Sequence, residues 1–90
     1  MSTTRPRVLT VDDEPNVLEG LRLVLGRRYD MATATSGAQA LELVERSPSF
    51  AVVLSDMRMP AMNGAVFLAR MRERSPSTVR MLLTGQSDVS

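Results

Sequence analysis

The stretch Ala51-Val52-Val53-Leu54-Ser55-Asp56-Met57-Arg58-Met59-Pro60 constrains this chain most, because it is an apolar run that ends abruptly on one carboxylate. Consecutive apolar residues, two of them β-branched, bounded by Ser47-Pro48-Ser49 and by a proline turn, predict a short strand over Ala51–Ser55 buried on both faces. Asp56 then lies at the carboxyl end of that strand, the edge where open parallel sheets bind ligands. A second apolar run, Val8-Leu9-Thr10-Val11, ends in Asp12-Asp13 in the same way. Neighbouring parallel strands would bring three carboxylates into one pocket, an arrangement that needs a cation or a shared proton to relieve the repulsion.

Ninety residues allow one small domain with a single core. Tyr29, Phe50 and Phe67 are the only aromatic residues, so the core is aliphatic and methionine-rich, and stacking platforms for single-stranded nucleic acid are nearly absent. A net charge of +1 gives no global attraction to nucleic acid or to a membrane surface, and neither is expected as a direct partner. No stretch approaches the roughly 18 apolar residues of a membrane span. The chain lacks cysteine, which excludes a disulfide framework and fits a cytoplasmic location. It also lacks histidine, so any phosphohistidine in its chemistry comes from another molecule.

Taken in order, residues 1–6 form a polar arm and Arg7–Val11 the first strand. Acidic residues followed by Pro15 mark a helix start, and Val17, Leu21, Val24 and Leu25 give it an apolar stripe as far as about Arg28, with Arg27-Arg28 at the favourable end of its dipole. Tyr29–Ala34 reads as a weaker edge strand. Ser36 caps a second helix over Gly37–Arg46 with Ala40, Leu41 and Val44 inward. After the Ala51–Ser55 strand and a loop to Asn63, a third helix covers Gly64–Arg74 with Phe67, Leu68 and Met71 inward. Thr78–Thr84 is a fourth strand, Gly85 turns the chain, and Ser87-Asp88 reads as a helix cap. The order β-α-β-α-β-α-β predicts an α/β parallel sheet with right-handed crossovers.

Asp12-Asp13 after the first strand, Asp56 after the third, Pro60 and Gly64 behind it, and Thr84-Gly85 after the fourth make the chain closely resemble the receiver domain of bacterial two-component response regulators. The resemblance covers nearly the whole chain. It implies a flavodoxin-like doubly wound sheet over residues 7–90 with the family's strand order 2-1-3-4-5, and a chain that ends before the fourth helix, fifth strand and fifth helix. By the same resemblance Asp56 is the phosphoacceptor, and Asp12, Asp13, Asp56 and the backbone carbonyl of Arg58 hold Mg2+ or another divalent cation. Thr84 is the switch hydroxyl, and Pro60, Gly64 and Gly85 shape the loops. The implied partners are a sensor histidine kinase and an output domain or effector outside this sequence. The implied activity is that of a regulatory phosphoacceptor, with no catalysis beyond its own phosphorylation and dephosphorylation.

The sequence departs from the family in three places, the first being that the aromatic switch residue receivers carry on their fifth strand is absent. All eleven basic residues are arginines, so the lysine that receivers pair with the phosphoryl group is absent. Gly85 stands where many relatives carry alanine. A second expectation therefore stands beside the first, a phosphorylation-incompetent receiver fragment that acts as an assembly module, forming a homodimer or higher oligomer through the exposed edge of the fourth strand. An enzyme of the haloacid dehalogenase type is disfavoured because Arg58 occupies the position of its second aspartate. A flavodoxin-like cofactor binder is disfavoured because Asp12-Asp13-Glu14 would repel an anionic cofactor.

Overall fold

In the computed structural model, which describes residues 5–47 and 49–83, the elements are β1 (Arg7–Val11), α1 (Pro15–Leu25), β2 (Asp30–Ala34), α2 (Gly37–Arg46), β3 (Val52–Asp56), α3 (Gly64–Arg74) and β4 (Val79–Leu83). Thr84, Gly85 and the Ser87-Asp88 pair lie outside the described residues. The strands form one parallel sheet in the order β2-β1-β3-β4. This is the expected architecture, with β2 at an edge as its modest hydrophobicity suggests.

Side chains alternate across a strand, so the register assigns each residue to a face. Leu9, Val11, Ala34 and Val53 point toward α2 and α3, where Ala40, Leu41, Val44, Phe50, Phe67 and Met71 complete the core. Leu9, Val53, Phe67 and Met71 are wholly buried. The helices meet this face through the stripes that their periodicity predicts. Ser36 Oγ accepts the Gln39 N–H at 3.1 Å, and Asn63 Oδ1 accepts the Val66 N–H at 2.9 Å. Each of these caps stabilises its helix by about 1 kcal/mol. At the start of β4 the buried Thr78 hydroxyl donates to the Phe50 carbonyl at 2.8 Å, so this internal polar group is satisfied.

The opposite face corrects the expectation for β3. β3 is not buried on both sides, because Val53 and Ser55 are buried whereas Val52, Leu54 and Asp56 are only half-buried. The reason is that α1 packs on β2 and, among the described residues, does not extend across β3 and β4, whereas Val8 and Thr10 of β1 on the same face are buried. Val79 and Met81, register partners of Val52 and Leu54, are accordingly 56% and 48% exposed.

Helix α1 also ends earlier than its pattern predicts, at Leu25 rather than near Arg28. The Gly26 N–H donates to Arg22 O at 2.8 Å and the Tyr29 N–H to Leu25 O at 3.0 Å, turning the chain so that Asp30 can pair with Arg7. Beside Arg22 in the last turn, Arg5 reaches the helix end and donates to the carbonyls of Gly26 and Arg27 at 3.0 and 3.2 Å. The inward stripe is Leu18, Leu21 and Leu25, while Val17 and Val24 face solvent. Only the narrow strip of sheet under one helix is available to bury, and it takes one line of leucines.

Candidate functional site

The carboxyl-terminal edge of the sheet is where β1 and β3 stop side by side. Val11 pairs with Ser55, and the next residues in sequence, Asp12 and Asp56, bring their carboxylates together there. Asp13 joins them, and one carboxylate oxygen from each of the three lies within 4.8 Å of the others. Asp12 is 9% exposed, Asp56 half-buried and Asp13 exposed.

Asp12 is held from two sides. Its N–H donates to Ala34 O at 3.1 Å, extending the β1–β2 ladder by one bond. Its carboxylate accepts the Glu14 N–H at 2.9 Å. Glu14 is the N-cap residue of α1 and makes no side-chain cap of its own, and Pro15 follows it. Asp12 therefore satisfies a donor at the head of the helix as well as facing the cluster. Burial pushes the Asp12 carboxyl above the ordinary aspartate range. The hydrogen bond from Glu14 opposes that rise, and the charges of Asp56, Asp13 and Glu14 reinforce it.

Among the described residues the ion pairs are Arg7 with Asp30 and Arg74 with Glu45, and neither involves the cluster. Three convergent carboxylates with no protein cation among them form an all-oxygen donor set, the chemistry that suits a hard divalent cation.

The loop after Asp56 is fixed tightly against the sheet. The Gly64 N–H donates to Met57 O at 2.9 Å, and the Met62 N–H donates to Pro60 O at 2.6 Å. A Cβ on Gly64 would run into the carbonyl oxygen of Asp56 and come within 2.7 Å of Leu82 Cδ1 and 3.0 Å of Met57 Cα. Met59 is buried in the core and Met62 packs against it, so these methionines anchor the loop from below. Arg58 is exposed on the same loop, as is Pro60. Ala61 adopts a φ of 69°, a left-handed backbone uncommon for a residue with a Cβ.

The structure thus brings together Asp12, Asp13 and Asp56, with Gly64 directly behind the last. Thr84 and Gly85 lie outside the described residues, although Leu83, which precedes them in sequence, is the register partner of Asp56. Sequence reading missed Glu14 as a backbone donor, Asn63 as a cap and Ala61 as a left-handed residue. Asn63 was detectable as an amide just before an amphipathic helix. Nothing in an alanine announces a positive φ.

A parallel α/β sheet with an acidic oxygen cluster where its two central strands end defines the class. The response regulator receiver domain model matches residues 8–90, and the chain belongs to that family. It is similar to the hydrogenase transcriptional regulatory protein HoxA of Cupriavidus necator, at 39% identity over 98% of this chain and 18% of that protein. Among solved structures it resembles an adenylate cyclase from Rhodopirellula baltica with a TM-score of 0.86 and 36% identity, covering 89% of this chain and 59% of that one. It also resembles the signal receiver domain of an HD domain-containing protein from Pseudomonas fluorescens, with a TM-score of 0.84 and 36% identity over 94% of this chain and 68% of that one. The chain spans 18% of the length of the first of these relatives and 38% of the DNA-binding response regulator MtrA of Mycolicibacterium smegmatis.

Proposed function

We propose that this chain is the phosphorylation-controlled switch of a two-component system, with Asp56 as the phosphoacceptor and a partner histidine kinase as the donor. The observation that carries this reading is the convergence of Asp12, Asp13 and Asp56 within 4.8 Å in a chain of the receiver family. A carboxylate oxygen of Asp56 attacks the phosphorus of a phosphohistidine protonated on its other ring nitrogen, an O–P bond forms, the P–N bond breaks with its electron pair passing to the nitrogen, and the imidazole leaves neutral, keeping that proton. Bound Mg2+ supplies charge neutralisation for donor and acceptor. Asp12, Asp13, Asp56 and the backbone carbonyl of Arg58 would hold it, and that carbonyl accepts no hydrogen bond among the described residues.

Thr84 is the hydroxyl proposed to turn toward the new phosphoryl group, and Pro60, Gly64 and Gly85 shape the flanking loops. The role is regulatory, the location cytoplasmic, and the output a further domain or effector. By name HoxA is a transcriptional regulatory protein and MtrA a DNA-binding response regulator, which makes a DNA-binding output the leading candidate. In intact-mass analysis after exposure to Mg2+ and a small-molecule phosphodonor, a single phosphoryl adduct is expected that disappears in Asp56→Ala. No adduct on a chain with native circular dichroism would overturn the reading.

A second reading rests on a different observation. β4 stands at the sheet edge with Val79 56%, Met81 48%, Leu82 37% and Leu83 38% exposed. An edge this apolar favours strand pairing with a second copy. Sedimentation of the 90-residue chain is then expected to show a dimer or larger species, which Met81→Lys shifts toward monomer. A cooperatively folded monomer at all concentrations would exclude self-assembly.

A further inference from the structure

The edge of the sheet opposite the three aspartates carries an unassigned cleft of about 420 Å³ between the end of α1 and the start of β2. Arg5, Arg22 and Arg27 line it, together with Tyr29, Leu23 and Met31. The net charge of the chain is only +1, so this concentration of guanidinium groups is local. Asp30 also lines the cleft, and its carboxylate is paired with Arg7 at 3.8 Å.

The carbonyl end of a helix normally repels anions, but here Arg5 donates to the carbonyls of Gly26 and Arg27 and offsets that field. A guanidinium has five N–H donors, so Arg5 keeps further donors for a ligand. Arg22 and Arg27 are exposed, and their side chains take part in no hydrogen bond or ion pair among the described residues. Three arginines lining one concavity offer the paired N–H donors with which arginine binds phosphoryl oxygens. The exposed Leu23 side chain and the half-buried Tyr29 and Met31 add an apolar wall beside the cations.

We infer that this cleft binds a phosphate-bearing anion, either inorganic or the phosphoryl group of a nucleotide, at a site remote from the acidic edge. The inference does not depend on the phosphoacceptor reading.

The test is an NMR titration of the labelled 90-residue chain without magnesium, using inorganic pyrophosphate in one arm and ADP in the other. Saturable shifts confined to the amides of Arg5 and residues 22–31 are expected. Arg22→Gln with Arg27→Gln should weaken binding about tenfold or more, the size of one charge-assisted hydrogen bond. Both side chains are exposed, so the fold is expected to survive, and single Arg27→Gln lies outside every helix and gives an independent variant. Asp56→Asn and the α3 pair Arg70→Gln with Arg72→Gln should leave the affinity unchanged. Equal affinity in the two arms assigns recognition to the phosphoryl group alone, and tighter ADP binding assigns part of it to the apolar wall. Absence of saturable shifts in residues 22–31, or affinity unaltered by loss of the two arginines, would overturn the proposal.

Discussion

Gly64→Ala is expected to lower stability by about 2–3 kcal/mol, seen as a fall in thermal midpoint of roughly 10–20 °C for a domain of this size. The added methyl has no free direction, since it meets the carbonyl oxygen of Asp56, the backbone of Met57 and the Leu82 side chain together. Two of these neighbours are backbone, so the strand end must move rather than a flexible side chain. That strand end carries Asp56, so the variant should also bind Mg2+ more weakly. Gly20→Ala is the matched comparison, because a Cβ there meets nothing within 4 Å. It sits inside α1 and should raise stability by about 0.5–1 kcal/mol. Equal responses at the two positions would show that the close approach behind Asp56 does not constrain the chain.

Magnesium is expected to stabilise the protein by about 2.7 kcal/mol when its concentration is a hundredfold above the dissociation constant. Asp56→Asn should do the reverse of what a core mutation does. Without metal it removes one of three crowded charges and stabilises the fold, and with metal it forfeits most of the gain. The pH dependence follows from Asp12, whose carboxyl is raised in the folded protein by burial and by its acidic neighbours. The folded state then binds this proton more tightly than the unfolded chain does. In metal-free protein, stability from this group falls as pH rises from the ordinary aspartate value through the raised one, and grows as pH is lowered back. Urea denaturation at several pH values, with and without Mg2+, checks both signs. Destabilisation by Asp56→Asn in chelator would contradict the electrostatic account.

Much of this was legible because the apolar runs and the helix stripes are local signals. The Ser36 cap, the inward residues of α2 and α3, and the two strands that end on aspartates all follow from spacing within a few residues. What escaped depends on what lies across the chain. Val17 and Val24 belong to an amphipathic pattern, but α1 meets only one strip of sheet, so the line of Leu18, Leu21 and Leu25 is buried instead. Val52 and Leu54 read as fully buried because composition cannot show that, among the described residues, α1 does not reach across β3. In the site, the three aspartates were legible and the Glu14 donor was not, because it depends on where α1 begins relative to Asp12.

The strand order also has a kinetic side. Among the described residues every strand pairing is parallel and joins strands separated by at least one helix, two in the case of β1 and β3, so each must close a long loop before it yields any contact. β1 precedes both of its neighbours in the chain, sits between β2 and β3, and stays unpaired on one side until β3 has been synthesised. Asp12 and Asp56 meet only at that closure. Metal binding at the cluster is therefore expected to slow the opening of the β1–β3 seam more than it changes how fast the chain first collapses, as unfolding and refolding rates measured with and without Mg2+ would show.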